Sequence, residues 1–346
     1  MKIGKFDLEK DGTYIIAELS ANHNGSLEKA LDTIKAAKEI GANAIKIQTY
    51  TADTLTLDCN KEDFIIKGGT LWDGKTMYEL YQEAYTPWEW HEQLFNYARK
   101  LSIDIFSTPF DKTAVDFLEK FNPSAYKIAS FEITDHELIR YTASKHKPII
   151  ISTGIASIDE IQDAVDICKK EGNENIILLK CTSAYPASLE DANLRTIPNL
   201  QDTFGVVSGF SDHTLGIIAP ITAVVLGAKV IEKHFILDKS IGGPDSDFSL
   251  DKKEFKQMIE AVRNTEKLLG KVDYSMTEKK KNNRQFSRSL YISENIKKGE
   301  LLTTDNVRSV RPGFGMHPKY FKDILGKPVR TNLEKGTRLV FSDIHK

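Results

Sequence analysis

The chain predicts an α/β fold, a (β/α)8 barrel followed by a small β-rich domain. Three observations carry that expectation. From Tyr14 to about Gly270, short β-branched runs alternate with longer stretches of helical period. Eight such runs spread over ~250 residues, which is the count and length of a single (β/α)8 domain. The alternation then stops near Val272, where a different pattern takes over. A doubly wound open sheet is the structural alternative. No Gly-x-Gly-x-x-Gly follows the first run, so a dinucleotide-binding fold has no support.

The expected strands are Tyr14–Leu19, Ala44–Gln48, Ile103–Ser107, Ala125–Ala129, Pro148–Ser152, Asn175–Lys180, Val206–Gly209 and Lys229–Lys233. Between them the apolar spacing is helical; Leu27, Ala30, Leu31 and Ile34 make a clear stripe. A polar insertion from Thr51 to Thr86, with Gly68-Gly69 and Trp72-Asp73-Gly74, leaves the second strand. It should lie over the barrel mouth as a lid or binding surface, unless it is plain decoration. Periodicity fails over 272–284, where Glu278-Lys279-Lys280-Lys281 reads as linker. The expected domains are therefore a barrel over 1–271, that linker, and a β-rich unit over 285–346. Within the last, Asn295…Lys298-Gly299…Leu302 recurs as Asn332…Lys335-Gly336…Leu339, an internal repeat at an offset of 37 residues.

Bulk properties narrow the function. Hydrophobic content of 40%, charged content of 28% and a net charge of −2 are those of a soluble globular protein, with no case for nucleic acid or a membrane surface. The amino terminus lacks the apolar core of a signal peptide, and no run reaches the ~18 apolar residues of a membrane span. The three cysteines, Cys59, Cys168 and Cys181, are odd in number and widely spaced, which fits a reducing cytoplasm better than a disulfide framework. Cys181 ends a buried-looking strand, as packing or as a reactive thiol.

The chemistry gathers at the strand ends. His213 and His234 follow consecutive runs, and that places both imidazoles at the carboxyl face where α/β barrels build active sites. They are either two ligands of a divalent metal with open positions or two unrelated hydrogen-bonded histidines. Polar residues stand at the other ends too: Glu18, Lys46 with Gln48, Thr108, Lys127, Ser152, Ser183 and Ser211. A lysine inside an apolar strand needs an anionic partner or must snorkel to the rim. Two of them beside hydroxyls suit a phosphate or carboxylate; a Schiff-base lysine is the competing reading. Glu18, Glu132 and Asp245 are the carboxylates expected near metal and substrate. His23, in a turn after the first strand, is a possible third ligand or a turn-stabilising residue.

Taken in order, several segments resemble the sialic acid synthase family, which joins phosphoenolpyruvate to an amino sugar. They are Ala-Glu-Leu-Ser-Ala-Asn-His-Asn-Gly (17–25), Lys-Ile-Gln-Thr (46–49), Phe-Ser-Thr-Pro-Phe (106–110) and Tyr-Lys-Ile-Ala-Ser-Phe-Glu (126–132). Further on come Ser-Thr-Gly (152–154), Lys-Cys-Thr-Ser-Ala-Tyr-Pro (180–186), Gly-Phe-Ser-Asp-His-Thr (209–214), Glu-Lys-His-Phe (232–235) and Gly-Pro-Asp (243–245). Val-Arg-Pro-Gly-Phe-Gly (310–315) resembles the family's antifreeze-like (SAF) module.

The resemblance implies roles. His213 and His234 would hold a divalent ion, manganese or magnesium. Lys46, Thr108, Lys127, Ser152, Ser183 and Ser211 would hold phosphoenolpyruvate. Glu18, Gln48, Glu132, Tyr185 and Asp245 would line the sugar and water sites. Arg311 would reach a neighbouring barrel in a domain-swapped homodimer. Glu-Leu-Ser-Ala-Asn-His (18–23), Cys-Thr-Ser (181–183) and Asp-Phe-Ile-Ile-Lys-Gly-Gly…Leu-Trp (63–72) resemble the branch that takes a 2,4-diacetamido-2,4,6-trideoxy-L-altrose. Neuraminate and legionaminate synthesis are the nearest alternatives. A Schiff-base aldolase and a non-catalytic carbohydrate-binding protein lie further off. Trp72 and Phe64 are candidates to line the 6-methyl group, or else core of the insertion.

Overall fold

The computed structural model describes residues 1–67 and 72–345. The Gly68-Gly69 step of the insertion lies outside them. The chain divides into two compact units, Met1–Gly270 and Lys271–Lys346.

In the first unit eight parallel strands close into a barrel: β1 (Tyr14–Glu18), β2 (Ala44–Thr49), β3 (Asp104–Pro109), β4 (Tyr126–Ile128), β5 (Ile149–Ser152), β6 (Ile176–Cys181), β7 (Val207–Asp212) and β8 (Val230–His234). Each pairs with the next in sequence, and β8 closes on β1. The surrounding helices are α1 (Leu27–Ile40), α2 (His91–Leu101), α3 (Lys112–Glu119), α4 (His136–Ala143), α5 (Ile158–Lys170), α6 (Thr196–Phe204), α7 (Ile218–Val225) and α8 (Lys252–Leu269). Every expected strand forms. Several run past their expected ends, β3 to Pro109 and β7 furthest, past Gly209, because Phe210, Ser211 and Asp212 pair with β8. β4 is shorter, since Ser130–Glu132 turns at once into a 3-10 helix.

Alternation of side chains across each strand builds two cores. Outward residues such as Ile15, Ile45, Ile105, Ile149 and Leu178 pack against the helices. Inward residues Ile16, Ala44, Ala125, Ile150 and Val230 fill the barrel's lower half, and Ile3, Phe6 and Leu8 of an amino-terminal hairpin join them. Each fully buried isoleucine, leucine or valine among them stabilises by roughly 1.5–3 kcal/mol. Two residues beyond those same five positions stand Glu18, Lys46, Lys127, Ser152 and Glu232. One period-2 step up the barrel therefore changes an apolar layer into a charged one. Close packing also dictates Gly209, where a Cβ would lie 2.3 Å from the Val230 carbonyl oxygen.

The insertion carries two short helices, Ala52–Leu55 and Met77–Ala84, and a bridge between Ile65 and Thr76. In the 272–284 stretch, Glu278–Asn283 forms a short helix capped by Thr277.

The second unit pairs β9 (Ser289–Ile292) with β10 (Val307–Val310) in antiparallel fashion over its own core of Leu290, Val307, Val329 and Leu339. Its internal repeat is a pseudo-twofold in hydrogen bonds. Ile296 and Leu333 exchange both backbone bonds at 2.9 Å. Asn332 Oδ1 accepts from Lys298 N at 2.8 Å, and Asn295 Oδ1 accepts from Lys335 N at 2.9 Å. The two turn glycines, Gly299 and Gly336, have φ of +86° and +87°, a region that favours residues without a Cβ.

Candidate active site

The charged layer opens into a cleft of about 380 Å3, counting space open to solvent, at the carboxyl ends of the strands. Of the expected residues, Glu18, Lys46, Gln48, Thr108, Lys127, Ser152, Tyr185, Ser211, His213 and His234 line it. Ser183 stands one step away and donates to Ser130 Oγ at 2.9 Å; Ser130 is itself a lining residue. Asp245 Oδ2 lies 3.5 Å from His234 Nδ1. Glu132 ends the 3-10 turn that begins at Ser130. Arg311 belongs to the second unit, where it lines a separate cleft with Arg308 and Lys335.

Two buried lysines organise the floor. Lys46 Nζ lies 2.7 Å from Glu18 Oε2, 3.6 Å from Glu232 Oε1, and donates to Thr108 Oγ1 at 3.3 Å. Lys127 Nζ donates to Ser152 Oγ at 2.7 Å and lies 3.9 Å from Glu232 Oε1. Ser211 Oγ donates to the same Glu232 oxygen at 3.2 Å. Glu232 is thus the hub of the site, and sequence reasoning missed it. The signal was available: Glu232 precedes His234 by two in one strand, so both must face inward. Burial raises the Glu18 carboxyl and outweighs the attraction of Lys46. Burial would raise Glu232 too, but Lys127 and Lys46 together hold it down. Burial lowers Lys127, whereas Glu18 and Glu232 overcome burial at Lys46 and raise it.

The histidines stand beside this floor with ring centroids 5.4 Å apart. His213 Nδ1 is 3.0 Å from the Thr182 carbonyl. A carbonyl only accepts, so Nδ1 carries the proton and the Nε2 lone pair is left free. Burial, helped by His234, pushes His213 down to about 3, leaving it neutral. Tyr185 packs on His213 at 4.4 Å and Phe248 on His234 at 4.8 Å, and Trp72 of the insertion reaches Tyr185 at 6.0 Å. Phe64, by contrast, is half-buried in the turn Glu62–Phe64. His23 is buried, with Nδ1 accepting from Gly25 N and Nε2 3.4 Å from Thr86 Oγ1, the arrangement of a turn-stabilising residue.

Among the described residues no group of three or more His, Cys, Asp and Glu forms a ready metal cage. What the site offers is two neutral-capable imidazoles with buried oxygens beside them that lack hydrogen-bond partners, Glu18 Oε1 and Glu232 Oε2. That donor set fits an ion with two protein ligands whose remaining positions are left to water or substrate oxygens. A narrow cradle completes the cleft. Gly154 brings bare backbone against Ser130, Ser183 and Cys181, and a Cβ there would lie 2.3 Å from Ser183 Oγ.

A closed barrel with lysines, hydroxyls and paired imidazoles at one mouth defines an enzyme built for an anionic donor and a carbonyl acceptor. The chain belongs to the NeuB family, whose model matches residues 33–274, and carries a SAF domain over 287–345. It is 55% identical to a pseudaminic acid synthase of Campylobacter jejuni over 99% of both chains. It is 49% identical to that of Helicobacter pylori over 96% of this chain and 98% of the relative. A crystal structure of N-acetylneuraminic acid synthetase from Leptospira borgpetersenii in complex with citrate superposes with a TM-score of 0.72. That match is 31% identical and covers 82% of this chain and 94% of the other. No helix among the described residues is long and apolar enough to cross a membrane.

Proposed function

We propose that the chain condenses phosphoenolpyruvate with 2,4-diacetamido-2,4,6-trideoxy-L-altrose to give pseudaminic acid and phosphate. The single observation that carries the chemistry is the buried pair Lys46 and Lys127, each bonded to a strand-end hydroxyl beside the two imidazoles. The choice of sugar rests on the likeness to the pseudaminic acid synthases.

In this reading Lys46, Lys127, Thr108, Ser152, Ser183 and Ser211 receive the phosphate and carboxylate of the donor. His213 and His234 hold a divalent ion, Mn2+ or Mg2+, which polarises the acceptor's aldehyde oxygen when bound. Gln48, Tyr185 and Asp245 orient the sugar, while Glu18 and Glu132 serve as the catalytic carboxylates. C3 of phosphoenolpyruvate attacks the aldehyde carbon, and the new hydroxyl takes up a proton. Water adds at C2, and phosphate leaves the tetrahedral intermediate by C–O cleavage, restoring a ketone. Burial pushes the Glu132 carboxyl up to about 7 against the pull of Lys127, a value suited to accepting the proton of that water. Trp72 and Tyr185 supply the aromatic wall that a 6-methyl group favours.

The active form is a domain-swapped homodimer acting in the cytoplasm, with Arg311 of one copy completing the barrel of the other. Exposed Phe131, Ile155, Ile158, Leu189, Leu215 and Ile218, all on loops or helix starts after strand ends, support a covered mouth. A phosphate-release assay tests the function. Release with the altrose-type acceptor, loss with chelator and little release with N-acetylmannosamine are expected. Preference for N-acetylmannosamine would move the chain to neuraminate synthesis. Chelator-resistant turnover with borohydride trapping of pyruvate would point to a Schiff-base aldolase instead.

A further inference from the structure

Behind the histidines, on the outer face of β7 and β8, Asp212 and Lys233 form an ion pair whose side chains have no solvent exposure. Lys233 Nζ lies 2.5 Å from Asp212 Oδ2 and donates to the Thr214 carbonyl at 2.6 Å. Asp212 Oδ1 accepts from Thr214 N at 2.8 Å. The two residues are register partners across the β7–β8 pair. Each is also the chain neighbour of one imidazole, since Asp212 precedes His213 and Lys233 precedes His234.

Packing alone does not call for charge at this place. The outward positions just below are Phe210 and Ile231, both in the apolar layer between barrel and helices. An apolar pair of similar volume serves such a layer as well as a fully buried ion pair, or better, because desolvation offsets the Coulomb gain. What the charged pair does, and an apolar pair cannot, is fix a direction and a distance. Its three bonds tie the ends of both strands and the first residue beyond His213 into one unit. Because side chains alternate across a strand, a clamp fastened outside sets the spacing of the rings inside.

We propose that Asp212–Lys233 is a positioning pair that holds His213 and His234 at the separation needed to share one divalent cation. The inference rests on the reading of those histidines as ligands. It makes Asp212 and Lys233 the support of the ligand shell, a place where substitution costs metal affinity 10- to 100-fold without touching the ion.

The test uses the full chain with Mn2+ alone as probe, its free concentration read by electron paramagnetic resonance. Replacing both partners, Asp212→Asn with Lys233→Met, avoids stranding one buried charge and keeps an acceptor for Thr214 N. The expected result is a folded, cooperatively melting protein whose Kd for Mn2+ rises at least about 10-fold. Asp212→Asn with Lys233→Gln provides the same measurement if the first pair does not fold. A folded double variant that binds Mn2+ within twofold of wild type overturns the positioning role and leaves the metal reading standing. Wild-type protein that takes up no Mn2+ overturns both.

Discussion

Glu132 has a carboxyl held up to about 7 by burial, well above its ordinary 4.5. Below pH 4.5 both folded and unfolded chains carry the proton. As pH rises toward 7 the unfolded chain releases it first, so this residue's contribution to stability falls across that window. Glu132→Gln should therefore melt higher than wild type at pH 8 and alike near pH 4; scans at the two pH values check it. If Glu132 is the base for water, the same variant should lose turnover together with the acidic limb of the kcat profile. An unchanged limb would assign the proton to another group. Gly154 gives a second test at this scale. An alanine Cβ would meet Ser183 Oγ at 2.3 Å and Ser130 Oγ at 2.7 Å. The cost of such overpacking is about 1–3 kcal/mol, so Gly154→Ala should fold. Its KM for phosphoenolpyruvate should rise on the order of 10-fold or more, because the displaced hydroxyls no longer meet the donor. An unaltered KM would remove the cradle from the donor site.

At the scale of elements, what the sequence revealed and what it hid have one physical cause. Barrel strands buried on both sides read as β-branched runs, and all eight were legible for that reason. Their upper ends are polar, so the runs end on paper before the strands end in space: β7 continues through Ser211 and Asp212 on backbone pairing alone. Glu232, a single carboxylate inside a strand, carries no signal of its own, although its position two residues before His234 places it on the inner face. The outer-face pair Asp212–Lys233 had no sequence signal beyond two charges next to two histidines. In the second unit the 37-residue offset was readable, whereas the bounds of its strands were not, since most of its sheet contacts are isolated bridges. The reciprocal Asn295 and Asn332 bonds make a prediction there. Each amide oxygen caps a turn of the other half, so Asn295→Ala and Asn332→Ala should destabilise that unit by similar amounts, about 1 kcal/mol each. Denaturant melts of the two variants measure it; a large effect from one alone would break the functional equivalence of the halves.

For the whole molecule, the assembly decides whether one chain is enough to make a site. If Arg311 serves the barrel of a second copy, catalytic defects in barrel and module must complement between chains. His234→Ala spoils the barrel and leaves a sound module; Arg311→Ala does the reverse. Each alone should have little activity with the altrose-type acceptor. A heterodimer of the two puts the intact module of the first chain on the intact barrel of the second, restoring one site of two. Half of the dimers in a randomly exchanged equimolar mixture are of this kind, so activity should recover to about a quarter of wild type. With Arg311 acting on its own barrel, every site in the mixture carries one lesion and activity stays at the mean of the parents. Exchange must pass through separated chains, so recovery should follow the first-order rate of dimer dissociation, at a rate independent of protein concentration once dimers predominate. In such a dimer the exposed leucines and isoleucines at the strand-end face would be buried between the copies, which would make dissociation slow and rate-limiting.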